Sequence, residues 1–230
     1  MNDPGNDAGK KAAALAAVAE IQAGMLVGLG TGTTAAFAIA RLGELVGAGL
    51  DIRAVATSRR TEEAAGAAGI AIVDFAGLTE IDLTIDGADE IDERLFAIKG
   101  AGGAMLREKI VAAASRRMIV IADASKQVSR IGKAKLPVEI LPFARSFAAA
   151  RLGALGARTT LRESYCTDQG NLVIDCNFAE MPDPAALAAA ISDIPGVLGH
   201  GLFLDEVDCA YIGNGDRVIR LVRQATTGSE

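Results

Sequence analysis

Tryptophan is absent from this chain of 230 residues, and histidine occurs once, as His200. A lone histidine argues against metal sites built from several imidazoles and against a histidine-centred acid–base pair. Tyr165 and Tyr211 are the only tyrosines, too few for an aromatic platform that stacks nucleic-acid bases. Cys166, Cys176 and Cys209 are odd in number and lack metal-ligand spacing, so they read as reduced thiols of a cytoplasmic protein. Positive charge is not in excess: 23 Lys and Arg against 29 Asp and Glu give a net charge of -6. That balance argues against a nucleic-acid partner, which would need a basic footprint, but leaves room for a local anion pocket. No window approaches the ~20 apolar residues of a membrane span, and residues 1–7 lack the basic start and apolar stretch of a secretion signal.

What is present is ample core material. Half of the residues are apolar and 23% are charged, a globular composition. Three-residue spacing of Leu15, Val18 and Ile21 predicts a helix over 10–22. Further along, the patterning predicts strands over 25–30, 52–56, 70–73, 81–85 and 118–122, with helices over 35–46, 61–68 and 106–114. This alternation implies a mostly parallel, Rossmann-like α/β sheet covered by helices. After Lys135 the order changes to strand 137–141, helix 144–155, strands 158–166 and 172–178, helix 183–192 and strand 197–204. That β-α-β-β-α-β order is the ferredoxin-like unit. A hairpin over 211–222, turning at Asn214-Gly215-Asp216, then returns to the first sheet. The expected organisation is an α/β catalytic domain of residues 1–134 and 206–230, bearing an inserted ferredoxin-like domain of residues 135–205.

Ligands of parallel sheets bind at the carboxyl ends of the strands, and four motifs fall there. In Gly28-Leu29-Gly30-Thr31-Gly32-Thr33-Thr34, glycines let backbone N–H groups face an anion at a helix start. A dinucleotide site would need a third glycine where Thr33 stands and an acid where the next strand ends in Thr57-Ser58. Arg59 and Arg60 keep an NADP reading open, and a plain strand-to-helix turn without a ligand is a further alternative. Asp86-Gly87-Ala88-Asp89-Glu90, with Asp92 and Glu93 behind it, offers Asp86 and Asp89 to sugar hydroxyls; a solvated acidic loop and a hard-cation site stay open. Lys99-Gly100-Ala101-Gly102-Gly103-Ala104 places a lysine against a glycine turn, suited to a developing oxyanion. Glu108 follows, opposite the Leu106, Ile110 and Ala113 face and so outside that helix's core stripe. The helix dipole would lower its pKa and burial would raise it; sequence does not decide between them. In Ala122-Asp123-Ala124-Ser125-Lys126, Lys126 reaches an anion or is a surface charge. Asp168 to Asn171 reads as hairpin chemistry, and His200 as structural.

Taken together, these stretches resemble the type A ribose-5-phosphate isomerase family. The resemblance runs through Gly28 to Thr34, Thr57-Ser58 with Thr61, Asp86 to Glu90, Lys99 to Lys109, Asp123 to Lys126, Pro137-Val138-Glu139, Asp168 to Asn171 and Ile194 to Val197. It implies an α/β domain with a ferredoxin-like lid, and metal-free, cofactor-free interconversion of ribose 5-phosphate and ribulose 5-phosphate through an enediol. Glu108 falls on the family's catalytic base, Lys99 and Asp86 on residues that assist ring opening and stabilise charge, and Asp89 on a sugar-hydroxyl contact. Thr31, Gly32, Thr33, Thr34 and Lys126 match substrate and phosphate contacts, as do the backbone positions Gly87, Ala88, Gly100, Ala101 and Gly102. Lys10 matches a further phosphate contact. The resemblance also implies a homodimer or dimer of dimers in the non-oxidative pentose phosphate pathway. Two departures, Ala101 within the glycine run and Met105-Leu106 before Arg107-Glu108-Lys109, bear on the shape of that loop. A sugar-phosphate-sensing regulator, an amino-sugar phosphate deaminase and a coenzyme A transferase are the rival readings. The first would need a DNA-binding segment ahead of the first strand, for which about two dozen residues are too few, and the second is weakened because the lone His200 lies outside the glycine and acid motifs.

Overall fold

The computed structural model describes residues 4–223; the ends of the expected catalytic segment, residues 1–3 and 224–230, lie outside them. Helix α1 (Pro4–Val18) leads into strand β1 (Leu26–Leu29), α2 (Thr33–Gly47), β2 (Arg53–Ala56), α3 (Arg59–Ala67) and β3 (Ala71–Ile72). Next come β4 (Leu83–Gly87), β5 (Glu90–Ile91), β6 (Ala97–Ile98), α4 (Met105–Ala113) and β7 (Met118–Asp123). The chain continues through β8 (Leu136–Ile140), α5 (Arg145–Ala154), β9 (Arg158–Leu161), β10 (Leu172–Asn177) and α6 (Pro184–Ser192). It closes with β11 (Val197–His200), β12 (Leu202–Phe203), β13 (Cys209–Asn214) and β14 (Arg217–Val222). No helix among the described residues is long and apolar enough to cross a membrane.

The main sheet has seven strands in the order β14-β13-β7-β4-β1-β2-β3. All its pairings are parallel except that of the β13–β14 hairpin. Alanine-rich α1 and α2 cover one face, burying Ala13, Ala17, Ala38 and Leu42 against Leu29, Ile85 and Ile121. On the other face Val120, Ala122 and Ile212 pack with Ala112 of α4 and with Ile91, Ala97 and Phe203 of a small three-stranded sheet. The second unit is a four-stranded antiparallel sheet in the order β11-β8-β10-β9, backed by α5 and α6. This strand order follows from two β-α-β crossings, as the ferredoxin-like reading expected.

Several boundaries differ for identifiable reasons. Helix α1 begins near residue 4 rather than 10, with Asp7 in its first turn where the helix dipole favours an acid, and it ends at Val18 rather than 22. Strand β4 spans Leu83–Gly87 rather than 81–85: Asp82 accepts a hydrogen bond from the Leu26 amide at 2.8 Å before the strand begins, and pairing of Asp86 and Gly87 with Val120 and Ile121 of β7 carries it two residues further. Strands β5 and β6 were not foreseen; two-residue strands carry no readable alternation. Strand β9 stops at Leu161 rather than 166, where Arg162 and Tyr165 leave the sheet to reach the Gly100–Gly102 backbone. The single strand expected over 197–204 breaks at Gly201 into β11 and β12, which belong to different sheets. Gly201 passes so close to the neighbouring chain that an added Cβ would lie 2.2 Å from the Lys99 carbonyl oxygen.

Candidate active site

Parallel pairing aligns the ends of β1, β4 and β7 on one edge, and the segments that follow them surround a cavity of about 240 Å³. The cavity receives Thr31 to Thr34, Gly87 to Asp89, Lys99 to Gly102, Glu108 and Lys126. Lys10, on α1, lines it as well. A larger groove of about 490 Å³ between the β2–β3 side and α4 is lined by Phe75, Ile110 and Val111 and holds none of these convergent groups.

At the floor, Lys99 Nζ lies 2.9 Å from Asp86 Oδ2 and 3.3 Å from Glu108 Oε2, and it donates to the Gly87 carbonyl. All three side chains are buried. Asp86 Oδ1 accepts from the Thr31 amide at 3.1 Å and from the Gly87 amide at 2.7 Å. The Asp86 carboxyl reaches the loop because residue 30 is glycine: a Cβ there would sit 1.9 Å from Asp86 Oδ1. Asp89 Oδ2 accepts from the Ala101 amide at 2.8 Å and so links the second and third motifs.

Glu108 corrects the sequence reading. The buried stripe of α4 is Met105, Glu108, Val111 and Ala112, while Ile110 and Ala113 are exposed. The carboxylate therefore lies on the inward face of its helix, and Lys99 offsets the cost of burying it. Burial, reinforced by the Asp86 charge and opposed by Lys99, pushes the Glu108 carboxyl up to about 8. Burial also raises Asp86, against the pull of Lys99. Burial works against a charged Lys99, but Asp86 and Glu108 together hold its ammonium above the ordinary lysine value.

Thr31 lines the cavity and also has a task that was not foreseen. Its hydroxyl donates to Ser58 Oγ at 2.8 Å, Ser58 donates to Thr61, and Thr61 donates to the Gly30 carbonyl at 2.9 Å. Its proton is thus committed to fastening the loop to β2 and α3, while Gly32, Thr33 and Thr34 line the cavity beside it at the α2 start. The acidic run divides in the same way. Glu90 accepts from the amides of Gly132, Lys133 and Ala134, and Asp92 from those of Arg94 and Phe96, so neither faces the cavity. With an ammonium already between Asp86 and Glu108, no group of three or more Asp, Glu, His or Cys side chains among the described residues is arranged to hold a metal ion.

Sequence reasoning missed Asn6, Asp123 and Ser125, which also line the cavity. Asn6 sits in the helical turn added at the chain start, and Asp123 and Ser125 belonged to the fourth motif, in which only Lys126 drew attention. His200 is buried: Nδ1 accepts from the Leu202 amide at 3.2 Å, and Nε2 lies 3.3 Å from Ser192 Oγ.

The family model of ribose 5-phosphate isomerase A (phosphoriboisomerase A) matches residues 53–217 of this chain. The ribose-5-phosphate isomerase A of Sphingopyxis alaskensis is 56% identical over 213 residues, which is 91% of this chain and 93% of that protein. The protein of the same name from Methanosarcina acetivorans is 46% identical over 220 residues, 93% of each. Among solved structures, ribose 5 phosphate isomerase A from Neisseria gonorrhoeae superposes with a TM-score of 0.91 at 37% identity, covering 96% of this chain and 98% of that one. A D-ribose-5-phosphate isomerase in complex with phospho-erythronic acid superposes with a TM-score of 0.92 at 35% identity, covering 97% of this chain and 100% of that one.

Proposed function

The chain belongs to the ribose 5-phosphate isomerase A family, and from that premise we propose that it interconverts D-ribose 5-phosphate and D-ribulose 5-phosphate through an enediol, with Glu108 as the general base and without a metal. The observation that carries this reading is the buried Glu108 carboxyl, pushed up to about 8, in contact with Lys99 at the wall of a polar cavity. A base that takes a proton beside a carbonyl works best with a pKa near the operating pH. Burial and the neighbouring Asp86 supply that shift.

The two ends of the cavity suit the two ends of the sugar phosphate. Lys10, Lys126 and the start of the fifteen-residue helix α2 bring positive charge and N–H donors to one end, where the phosphate would sit. Asp89 is free through its second oxygen to accept from a sugar hydroxyl. At the floor, Asp86 and Lys99 move protons at the ring oxygen and the C1 hydroxyl to open the ring. Glu108 then removes the proton from C2 of the open aldehyde, and the electron pair moves through C1–C2 to the carbonyl oxygen. The Lys99 ammonium stabilises that oxyanion. The O2 proton then passes to O1, the electron pair left on O2 forms the C2 carbonyl, and Glu108 returns its proton to C1, which gives the ketose with no net change in atoms. The same reading takes residues 135–205 as a lid over this edge. It also takes the assembly as a homodimer or dimer of dimers, and the setting as the cytoplasmic, non-oxidative pentose phosphate pathway.

The test is ketopentose formation from ribose 5-phosphate, with and without EDTA, for the wild type and Glu108→Gln. The expected result is EDTA-resistant turnover that falls by ~10²–10⁴-fold in the variant, while sugar-phosphate binding persists. Because the base must be ionised, kcat/KM of the wild type should rise with pH through a midpoint near 8, and the variant should lose that limb. A folded wild type that binds the sugar phosphate without converting it would replace the isomerase reading with that of a sensor.

A further inference from the structure

The loop Gly100–Gly103 belongs to no helix or strand, and its one internal backbone bond runs from the Gly103 amide to the Gly100 carbonyl at 2.9 Å. Backbone carbonyls at the boundary between two packed units need donors, and here the donors come from the four-stranded unit. Arg162 Nη2 donates to Gly100 O and Arg162 Nη1 to Ala101 O, each at 3.1 Å. The Tyr165 hydroxyl donates to Gly102 O at 3.2 Å. Three successive carbonyls of the loop are therefore drawn to one side. On the other side the Ala101 amide meets Asp89, while the amide of Gly102, a residue that lines the cavity, has no protein acceptor among the described residues.

Arg162 is itself held in place. Asp175, one strand away on β10, accepts from Arg162 Nε at 3.0 Å and from Nη2 at 2.7 Å. Its side chain is only 16% exposed and that of Asp175 11%. A planar guanidinium can grip a carboxylate and two carbonyls at once, whereas an ammonium on a flexible stem cannot reproduce that fork. Arg162 and Asp175 are not among the residues that line the cavity described above; with Tyr165 they line an adjoining one that shares Asp89, Ala101 and Lys126 with it.

We propose that Arg162, fixed by Asp175 and assisted by Tyr165, is a positioning residue for the isomerisation. It sets the Gly100–Gly102 backbone so that Lys99, the Gly102 amide and Asp89 converge on the substrate. The inference rests on the isomerase reading above and adds residues to which that reading assigns no role. A structural role alone would act on stability. Ala101 and Gly102 are exposed and outside the hydrophobic clusters, so slack in this loop changes geometry at Lys99 more than it changes the fold.

The decisive variants are Arg162→Lys and Tyr165→Phe, assayed by steady-state kinetics on ribose 5-phosphate and by thermal melting. Displacements near 1 Å at a reacting group cost up to ~10²-fold. Arg162→Lys, which keeps a cation beside Asp175, should lower kcat by about tenfold, and Tyr165→Phe by about threefold. Both should melt within a few degrees of the wild type and keep the wild-type midpoint of the kcat/KM pH limb, because neither touches Glu108. Asp175→Asn should lower kcat in the same direction, by less than Arg162→Lys. If Arg162→Lys leaves kcat within twofold of wild type, the proposal is overturned, whether melting is unchanged or lowered. A change confined to KM overturns it as well. An inactive wild type takes the isomerase reading and this one down together; an active wild type with an unaffected Arg162→Lys removes this one alone.

Discussion

Two glycine-rich loops face each other across the cavity, and they are held in opposite ways. The Gly28–Thr34 loop is secured within its own sheet. Thr31, Ser58 and Thr61 pass hydrogen bonds to the Gly30 carbonyl, Thr57 bonds Leu29, and the Thr31 amide bonds Asp86. All of these partners lie on or just after β1, β2 and β4. The Gly100–Gly103 loop has one backbone bond of its own and the Asp89 contact, and otherwise depends on Arg162 and Tyr165, which follow β9 in the four-stranded unit. The end at the α2 start, where we propose the phosphate sits, is thus built as soon as the parallel sheet forms, while the Lys99 end is complete only when the two units are docked.

Substituting Gly30→Ala would break the first loop most severely. The new Cβ would meet Asp86 Oδ1 at 1.9 Å and Asp86 Cβ at 2.5 Å, with strands β1 and β4 paired on either side and no room to separate. We expect kcat to fall about 100-fold or more and stability to drop by about 1–3 kcal/mol from overpacking, both readable from kinetics and urea unfolding. Retention of kcat within threefold would mean that the position of Asp86 does not matter.

Gly103→Ala is the matching change in the second loop and should be milder. Gly103 has φ 84°, so a side chain there costs about 1–2 kcal/mol. Its Cβ would lie 1.7 Å from the Tyr165 hydroxyl, the free end of a side chain that can swing aside. The expected outcome is loss of the Tyr165 bond, a kcat reduction of about fivefold and little change in sugar-phosphate affinity. Equal effects of the two alanines would erase the distinction between the loops.

This contrast also explains what could be read from the sequence. The parallel sheet, the ferredoxin-like strand order and the motifs at the strand ends follow from short-range patterns, in which apolar periodicity and glycine placement act within a few residues. The inward turn of Glu108 could not be read in that way. A periodicity argument assigns carboxylates to the wet face of a helix, and here Lys99, nine positions earlier in the chain, reverses that preference. The clamp on Ala101 was equally out of reach, since Arg162 stands 61 residues away and looks like an ordinary strand residue. Thr31 shows the converse: its place in the loop was legible, but the use of its hydroxyl depended on Ser58, which only the β1–β2 pairing brings near.

The last expected effect is on stability rather than turnover, and it concerns the stem of the second loop. The Lys99 amide donates to Gly201 O at 2.9 Å, and the adjacent His200 fastens that turn by accepting from the Leu202 amide. Burial foremost, and then the Lys109 charge, push the His200 imidazole down to about 4, with Glu206 opposing. Below about pH 6.5 the unfolded chain binds a proton that the native ring refuses, so stability falls with falling pH until the ring itself titrates near 4. The loss over that window is on the order of 3 kcal/mol, and His200→Gln should remove this slope. Hydrogen exchange sharpens the point. As pH drops from 6.5 to 5, protection of the Lys99 amide should weaken relative to that of the Thr57 amide, which bonds Leu29 O at 3.0 Å within the main sheet. Parallel weakening of both amides would mean that His200 reports global stability only, and that the second loop is no more separable from the fold than the first.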